Sequence, residues 1–273
     1  MTAGLQGLYA SISDRRKPDK TALVPTFMTD ADGSFVARHP VPLFQGRYAF
    51  TRVLAKGGFA TLVEVEDTFQ SGIRRAIKVM HASYAEMGVQ EYDIISRLNA
   101  ADPAGSYAIG RCFGRFWAGQ HLCVAFELLS SAPLHHCIDR ASQTISARRE
   151  SPVALRLKAV AKVAVQVLHA LELLEILNIL HADIKPDNIL LCDDSAQRCA
   201  VKLMDFGNSF EATPEMVGMY VEQMHDLQSL QYRAPEVLFN TQFGLPADVW
   251  SLGCILAEVS CEGSPSSERW QGS

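Results

Sequence analysis

Three polar side chains with complementary chemistry lie within the segment HADIKPDN over 181–188. Asp183 offers a carboxylate that can accept a proton, Lys185 offers a cation, and Asn188 offers an amide oxygen that can bind a hard metal ion. The sequence DFG, which begins at Asp205 after a short apolar segment, supplies a second metal carboxylate. Phosphoryl transfer needs a proton acceptor, positive charge on the moving group and oxygen ligands for magnesium. The two segments in this order therefore indicate phosphoryl transfer, whereas DFG alone would mean little.

A second candidate site begins in the sequence LAKGGFATL over 54–62, between two predicted strands. Gly57 and Gly58 are small enough for backbone amides to approach phosphate oxygens, although a simple glycine hairpin explains this pattern at least as well. Lys78 lies on the following predicted strand and Glu91 on the next helix. A lone strand lysine usually extends its head to water. An ion pair with Glu91 would instead aim the ammonium at phosphate groups.

The remaining sequence predicts how these residues are positioned. Apolar alternation and glycine-containing turns predict strands over 51–55, 61–67, 74–80, 112–116 and 122–128, and a helix over 90–98. After Pro152 the pattern is helical, except for a hairpin formed by 189–191 and 201–204. We therefore expect an α+β fold with two lobes, an antiparallel-sheet lobe with one helix and then a helical lobe. The expected division is a flexible extension over 1–46, lobes over 47–129 and 130–259, and a polar tail over 260–273.

Composition and charge restrict the class of protein. The chain has 273 residues, of which 48% are hydrophobic and 20% charged, a balance typical of soluble globular domains. A net charge of −5 argues against a protein that coats nucleic acid or binds a membrane surface. Polar residues at steps of three and four interrupt the apolar stretch 159–180, which indicates a core helix. Seven scattered cysteines without a CxxC pair, and no signal-peptide pattern, favour a cytoplasmic and/or nuclear protein.

These motifs, in this order, resemble the signature set of eukaryotic protein kinases. The resemblance covers residues 48–258 and continues with Ala234-Pro235-Glu236 and with DVWSLG over 248–253. Gln228-Ser229 and the sequence YRAPE over 232–236 are similar to the CMGC group, and most to its dual-specificity tyrosine-regulated (DYRK), homeodomain-interacting and CLK-like branches. The resemblance implies a two-lobed kinase fold that uses ATP and Mg²⁺ and acts on protein substrates.

The resemblance also implies roles for the polar residues. Asp183 would accept the proton of the substrate hydroxyl, and Lys185 would steady the γ-phosphate, as lysine does at this position in serine/threonine kinases. Asn188 and Asp205 would hold magnesium.

For the nucleotide, the resemblance implies that Lys78, oriented by Glu91, holds the α- and β-phosphates. Glu127 and Leu129 would bind the edge of the adenine through their backbone groups. The full set implied to bind ATP is Leu54, Gly57, Gly58, Leu62, Ala76, Lys78, Glu91, Glu127, Leu129 and Leu190.

Several positions depart from the family pattern. Ala55 and Ala60 replace the first and third glycines of the phosphate loop, which predicts a stiffer loop. Ala182 replaces the arginine that usually receives an activation-loop phosphate. Asp226 occupies the position of the activating tyrosine of DYRK-like kinases, and we expect it to pair with Arg233.

The final segment, SCEGSPSSERWQGS over 260–273, has no helical pattern where kinases have further helices, so we expect an incomplete second lobe. The leading hypothesis is a serine/threonine protein kinase, with tyrosine autophosphorylation left open. The alternatives are a truncated kinase-like binding module that regulates a partner without turnover, and a small-molecule phosphotransferase. The complete set of catalytic residues disfavours the first alternative, and the APE segment disfavours the second. Nothing in the residues points to an oligomeric state.

Overall fold

The computed structural model describes residues 29–30, 33–36, 44–136, 138–139, 151–192, 199–222 and 227–261. Asp226, the hairpin turn over 193–198, residues 1–28 of the predicted extension and the tail from 262 lie outside the described residues. The chain forms two compact units. The first runs up to Ala101 and resumes over Gly110–Leu128, and the second comprises Asp102–Ile109 and continues from Leu129.

The first unit contains a five-stranded antiparallel sheet in the order β1-β2-β3-β5-β4. Its strands are β1 (Tyr48–Lys56), β2 (Ala60–Asp67), β3 (Arg74–Met80), β4 (Cys112–Ala118) and β5 (His121–Glu127). Because side chains alternate along a strand, Val63 and Val65 of β2 and Ile77 and Val79 of β3 are buried together on one face. The residues between them therefore lie on the opposite face, which is the face that carries Lys78.

Helix α1 (Ala85–Ala101) packs on this sheet through Ile94, Ile95 and Leu98, which are buried at helical spacing. Gly88 is also buried, and a Cβ atom there would lie 2.6 Å from Met80 Cγ and 3.0 Å from Leu122 Cδ2. Glycine thus allows a closer approach of helix to sheet than any other residue. The helix begins five residues earlier than the sequence predicts, since glycine is a poor helix former and masked the pattern.

Part of the predicted extension packs on the first sheet. Phe35 is buried in the same core cluster as Phe44 and Tyr48. Thr29 Oγ1 lies 2.7 Å from His121 Nε2, and His121 Nδ1 donates to the carbonyl of Met80 at 2.8 Å. Burial lowers the pKa of His121, so the neutral ring is favoured in the folded protein.

The second unit is mainly helical. Helix α2 (Pro152–Ile176) begins after Ser151, whose Oγ accepts a hydrogen bond from Ala154 N at 3.2 Å. Helix α5 (Pro246–Cys261) packs against α2, and Arg156 Nε donates to the carbonyl of Val259 at 2.8 Å. The other elements are β6 (Ile179–Leu180), β7 (Ile189–Leu191), β8 (Val201–Leu203), β9 (Phe210–Glu211), α3 (Pro214–Glu222) and α4 (Pro235–Leu238). None of the helices in the described ranges has the length and apolarity that crossing a bilayer requires.

Candidate active site

Lys78 and Glu91 form an ion pair in the first unit. The lysine Nζ lies 2.8 Å from Glu91 Oε2 and 2.9 Å from Oε1, and the glutamate side chain is only 3% exposed. Lys78 pairs in register with Leu62 of β2 and shares its face with Ala76. The ammonium offsets the cost of burying the Glu91 carboxylate, which would be large for an isolated charge. The pair thus fixes a half-buried cation on β3, the strand that pairs with β2, which follows the glycine loop.

The glycine loop forms a tight turn between β1 and β2. Gly57 N donates to the carbonyl of Ala60 at 2.9 Å, and His81 N donates to the carbonyl of Phe59 at 2.8 Å. Neither Ala55 nor Ala60 has a positive φ, and neither do the two loop glycines. Alanine at the first and third glycine positions therefore imposes no backbone strain of the left-handed kind. The loop keeps two adjacent residues without side chains at its exposed tip.

The apolar residues implied to contact adenine are distributed over both units. On the first unit, Ala76 is buried and Leu62 half-buried on the Lys78 face, and Leu54 lies at the register shift in β1. Leu190 lies in β7 of the second unit, opposite Lys202.

The two positions implied to bind the adenine edge come at the end of β5. Glu127 is its last residue, and its backbone N–H donates to Arg111 O at 2.9 Å while its carboxylate accepts from Arg111 N at 2.6 Å. Leu129 is the first residue of the second unit's main segment. Arg111 therefore holds both the backbone and the side chain of Glu127 at the end of β5.

Asp183 is the centre of a hydrogen-bond cluster in the second unit. Its Oδ2 lies 2.7 Å from Lys185 Nζ, and its Oδ1 accepts from Ser229 Oγ at 2.9 Å. Weaker amide contacts come from Asn208 at 3.4 Å and Asn188 at 3.5 Å. These donors offset the lost solvation of a nearly buried carboxylate, because each of them stabilises negative charge.

Two members of this cluster carried no functional role in the sequence analysis. Ser229 belongs to a motif similar to the CMGC group, which implies no role for its side chain, and Asn208 follows Asp205-Phe206-Gly207 without any distinguishing pattern. Both lie far from Asp183 in the sequence and are brought to it by the fold. The serine before YRAPE was the one signal that could have pointed to such a contact.

The segment around Asp183 is held by helix α5. Asp248 accepts hydrogen bonds from the backbone N–H groups of His181 at 2.7 Å and Ala182 at 3.1 Å. Ala182 has a φ of 62°, a conformation that costs an alanine about 1 kcal/mol or more. Burial raises the pKa of Asp248, although these hydrogen bonds and His181 oppose the rise. Asp248 thus stabilises the strained backbone at Ala182, directly before the candidate base Asp183.

Asn188 and Asp205 flank the β7–β8 hairpin. Ile189 pairs with Leu203, and Met204 N donates to the carbonyl of Asn188 at 2.9 Å. The Asn188 amide nitrogen donates to the carbonyl of Asp183 at 2.8 Å, which leaves the side-chain oxygen as the atom that can bind a cation. The donor set of one amide oxygen and one carboxylate suits magnesium, which completes its shell with waters and phosphate oxygens.

The described residues contain no group of three or more His, Cys, Asp or Glu side chains that could hold a metal unaided. A magnesium site with two protein ligands does not need such a group, since Mg²⁺ keeps waters and shares the phosphate oxygens of its substrate.

The segment between Asp205 and Glu236 contains a helix, α3, that the sequence analysis did not place. Tyr220 of this helix is buried and stacks on Phe210 of β9, with ring centroids 4.2 Å apart at 22°. Asn240 Nδ2 donates to the carbonyl of Val221 at 2.7 Å. The expected pair between Asp226 and Arg233 lies outside the described residues, because Asp226 does.

Gln228 connects this segment to helix α5. It has a φ of 60°, and its amide nitrogen donates to Ala247 O at 2.9 Å and Ser251 Oγ at 3.0 Å. Its side-chain oxygen accepts from Ala234 N at 2.8 Å, and Arg233 Nη2 donates to its carbonyl at 3.0 Å. The buried amide is therefore fully used, and the backbone next to Ser229 is fixed on both sides.

Comparison with known proteins identifies the family. The protein kinase domain family matches residues 48–272. The chain is 34% identical to homeodomain-interacting protein kinase 1 of Caenorhabditis elegans over 79% of its own length, and 33% identical to homeodomain-interacting protein kinase 2 of Mesocricetus auratus over 85%. It is 34% identical to the serine/threonine-protein kinase prp4 of Schizosaccharomyces pombe over 78%.

The matched segment covers 24%, 18% and 41% of these three relatives, so the chain spans less than half of their length. The matches confirm the predicted kinase resemblance and its α+β fold class. The chain belongs to the protein kinase family, within its CMGC group.

Proposed function

We propose that this chain transfers the γ-phosphate of ATP, with magnesium, to serine or threonine hydroxyls of proteins. The observation that carries the proposal is the buried Asp183 carboxylate, held 2.7 Å from the Lys185 ammonium and 2.9 Å from Ser229 Oγ. A carboxylate fixed in this way can accept the proton of the substrate hydroxyl, while the neighbouring cation stabilises the negative charge of the transferred phosphoryl group.

The proposed roles follow from these contacts. Asp183 orients the substrate hydroxyl and accepts its proton, and Lys185 neutralises charge on the transferred phosphoryl group. Asn188 and Asp205 would hold magnesium, which would neutralise charge on the phosphates. Ser229 is a positioning residue for Asp183, because its hydroxyl donates to the carboxylate oxygen that Lys185 does not contact.

Nucleotide binding is assigned to the remaining residues. Lys78, fixed by Glu91, contributes a cation for the α- and β-phosphates. Gly57 and Gly58 leave the exposed loop tip without side chains, so that phosphate oxygens can approach its backbone. We assign the adenine to the apolar residues Leu54, Leu62, Ala76 and Leu190 and to the backbone groups of Glu127 and Leu129.

The substrate class and location belong to the same proposal. Lys185 two residues after Asp183, and a relative named as a serine/threonine kinase, support serine and threonine as acceptors. Tyrosine autophosphorylation rests on the resemblance to DYRK-like kinases alone. Protein substrates rather than nucleic acids or membranes fit the net charge of −5. The scattered cysteines support the cytoplasm and/or nucleus.

The test is a phosphorylation assay with labelled ATP, magnesium and a basic protein. We expect Lys78→Met and Asp183→Asn each to abolish incorporation, and the double variant to be no worse than either single one, because both residues serve one step. Asp187→Asn is the matched control, since this exposed carboxylate lies in the same loop.

Phosphoamino-acid analysis of the product distinguishes serine and threonine from tyrosine. An Asp183→Asn variant that keeps most of the parent's activity would show that the base is assigned wrongly. A parent that binds Mg-ATP without any transfer would instead favour the binding module.

A further inference from the structure

We propose that Tyr84 is a positioning residue for the ATP phosphates, which anchors the glycine loop to the start of helix α1. The inference rests on the proposed function. The ring of Phe59, at the loop tip, meets the ring of Tyr84 edge-to-face, with centroids 4.9 Å apart at 75°. The Phe59 carbonyl also accepts from His81 N at 2.8 Å. Side chain and backbone of one loop residue thus contact the same short segment before α1.

The loop needs such an anchor because it makes few contacts of its own. Residues 55–59 are all exposed. A Cβ atom at Gly58 would meet nothing within 4 Å, and one at Gly57 would meet only the carbonyl of Ala60 at 3.5 Å. Ordering a free loop around a ligand costs conformational entropy, which a contact present before binding reduces. Phe59 is 37% exposed, and part of the ring surface that it buries lies against Tyr84.

Tyr84 also couples the loop to the ion pair. It immediately precedes α1, the helix that carries Glu91, which contacts Lys78 at 2.8 Å. Tyr84 and the helix that follows it therefore position both the backbone amides of the glycine loop and, through Glu91, the ammonium of Lys78. A rotation or shift of the first turns of α1 would move the loop tip and the Glu91 carboxylate together. Both groups that we assign to the phosphates depend on this helix.

The test compares Tyr84→Leu, which removes the ring, with Tyr84→Phe, which keeps the ring and removes only the hydroxyl. Edge-to-face pairs contribute an amount equivalent to about a two- to twelvefold change in an equilibrium constant. We expect Tyr84→Leu to raise the dissociation constant for Mg-ATP, and the KM for ATP, by a factor in this range. Tyr84→Phe should bind like the parent. The kcat should change much less than KM, because Tyr84 touches neither Asp183 nor Lys185.

The matched control is Tyr92→Leu. Tyr92 lies on helix α1 itself, is also half-buried, and packs under the guanidinium of Arg115 at 4.7 Å. A double-mutant cycle of Phe59→Leu with Tyr84→Leu measures the coupling directly. The affinity losses of the two single variants should not add in the double variant.

Binding is measured by fluorescence titration with a fluorescent ATP analogue and magnesium. Equal affinity of Tyr84→Leu and parent, or an equal loss in Tyr92→Leu, overturns the inference. Amide hydrogen exchange of residues 57–60 without nucleotide is measured in parallel, and should be faster in Tyr84→Leu than in Tyr84→Phe. If the parent binds no nucleotide, the proposed function fails. The exchange rates then still test whether Tyr84 anchors the loop. Equal rates in Tyr84→Leu and Tyr84→Phe would refute the anchor.

Discussion

Replacing Gly88 with alanine should lower the kinase activity of this chain much more than it lowers the free energy of unfolding. The glycine lies between helix α1 and the sheet, where a Cβ atom would be 2.6 Å from Met80 Cγ and 3.0 Å from Leu122 Cδ2. Ordinary carbon contacts need about 3.5–4.0 Å. Met80 is 2% exposed and Leu122 1% exposed, so both side chains are enclosed by other residues and can withdraw only by displacing them. The helix must therefore move away from the sheet by roughly 1 Å.

That displacement acts on the ion pair one turn further along the helix. The distances between Lys78 Nζ and the two Glu91 oxygens are 2.8 and 2.9 Å. A shift of roughly 1 Å would take them beyond the usual hydrogen-bond limit of about 3.2 Å. Overpacking costs about 1–3 kcal/mol, whereas alanine improves helix propensity over glycine by about 1 kcal/mol. The net loss of stability should be about 0–2 kcal/mol, while the lysine loses its fixed position.

The assay combines urea unfolding with the phosphorylation assay. We expect kcat/KM to fall about tenfold or more, the loss that corresponds to about 1.4 kcal/mol of transition-state stabilisation. Gly253→Ala is the matched control, because a Cβ there meets nothing within 4 Å in helix α5. It should leave activity unchanged. Parent-like activity in Gly88→Ala, at parent-like stability, would refute the reasoning, since the helix would then have absorbed the methyl without moving Glu91.

Three further predictions concern other buried groups. Asp248→Asn should lower the free energy of unfolding by about 1–3 kcal/mol. One of the two oxygens that accept from His181 N and Ala182 N becomes an amide donor in this variant. Urea titrations that show unchanged stability would contradict this prediction. Since burial depresses the pKa of His121, its contribution to stability is present above about pH 6.5 and is lost as the pH falls. The melting temperature should therefore drop between about pH 7 and 5, and drop less in His121→Gln; parallel curves would refute the assignment. Burial raises the pKa of Cys112 to about 11, so a thiol reagent at about pH 8 should label it far more slowly than the exposed Cys261 in the native protein, and at a similar rate in urea.

Much of the fold and site could be read from the sequence because the informative residues are close together along the chain. Asp183, Lys185 and Asn188 lie within one short loop, and Asp205 follows after a single hairpin. The strand pattern around Lys78 is regular, since one face of β3 is buried with Val63 and Val65. Local spacing and alternation therefore suffice to predict these elements.

What the sequence could not provide depends on contacts across the fold. Ser229 reaches Asp183 from a distant segment, and no local pattern marks Asn208 at all. Helix α3 is short and holds its place through Tyr220 and Phe210 rather than through a strong apolar pattern. Gly88 reads as a helix breaker, whereas the structure uses it for close packing. In each case tertiary contact outweighs local propensity.

The β7–β8 hairpin has a consequence for how this region can vary in length. The Met204 N–Asn188 O hydrogen bond and the Ile189–Leu203 pairing set the spacing of the two proposed magnesium ligands through strand register. The Leu191–Val201 pair forms the opposite end of this ladder. Doubling the length of a flexible loop costs only about 0.6 kcal/mol in closure entropy. Residues inserted after Cys192 should therefore leave the spacing of the ligands unchanged, which makes this position suitable for a fluorescent label or an affinity tag.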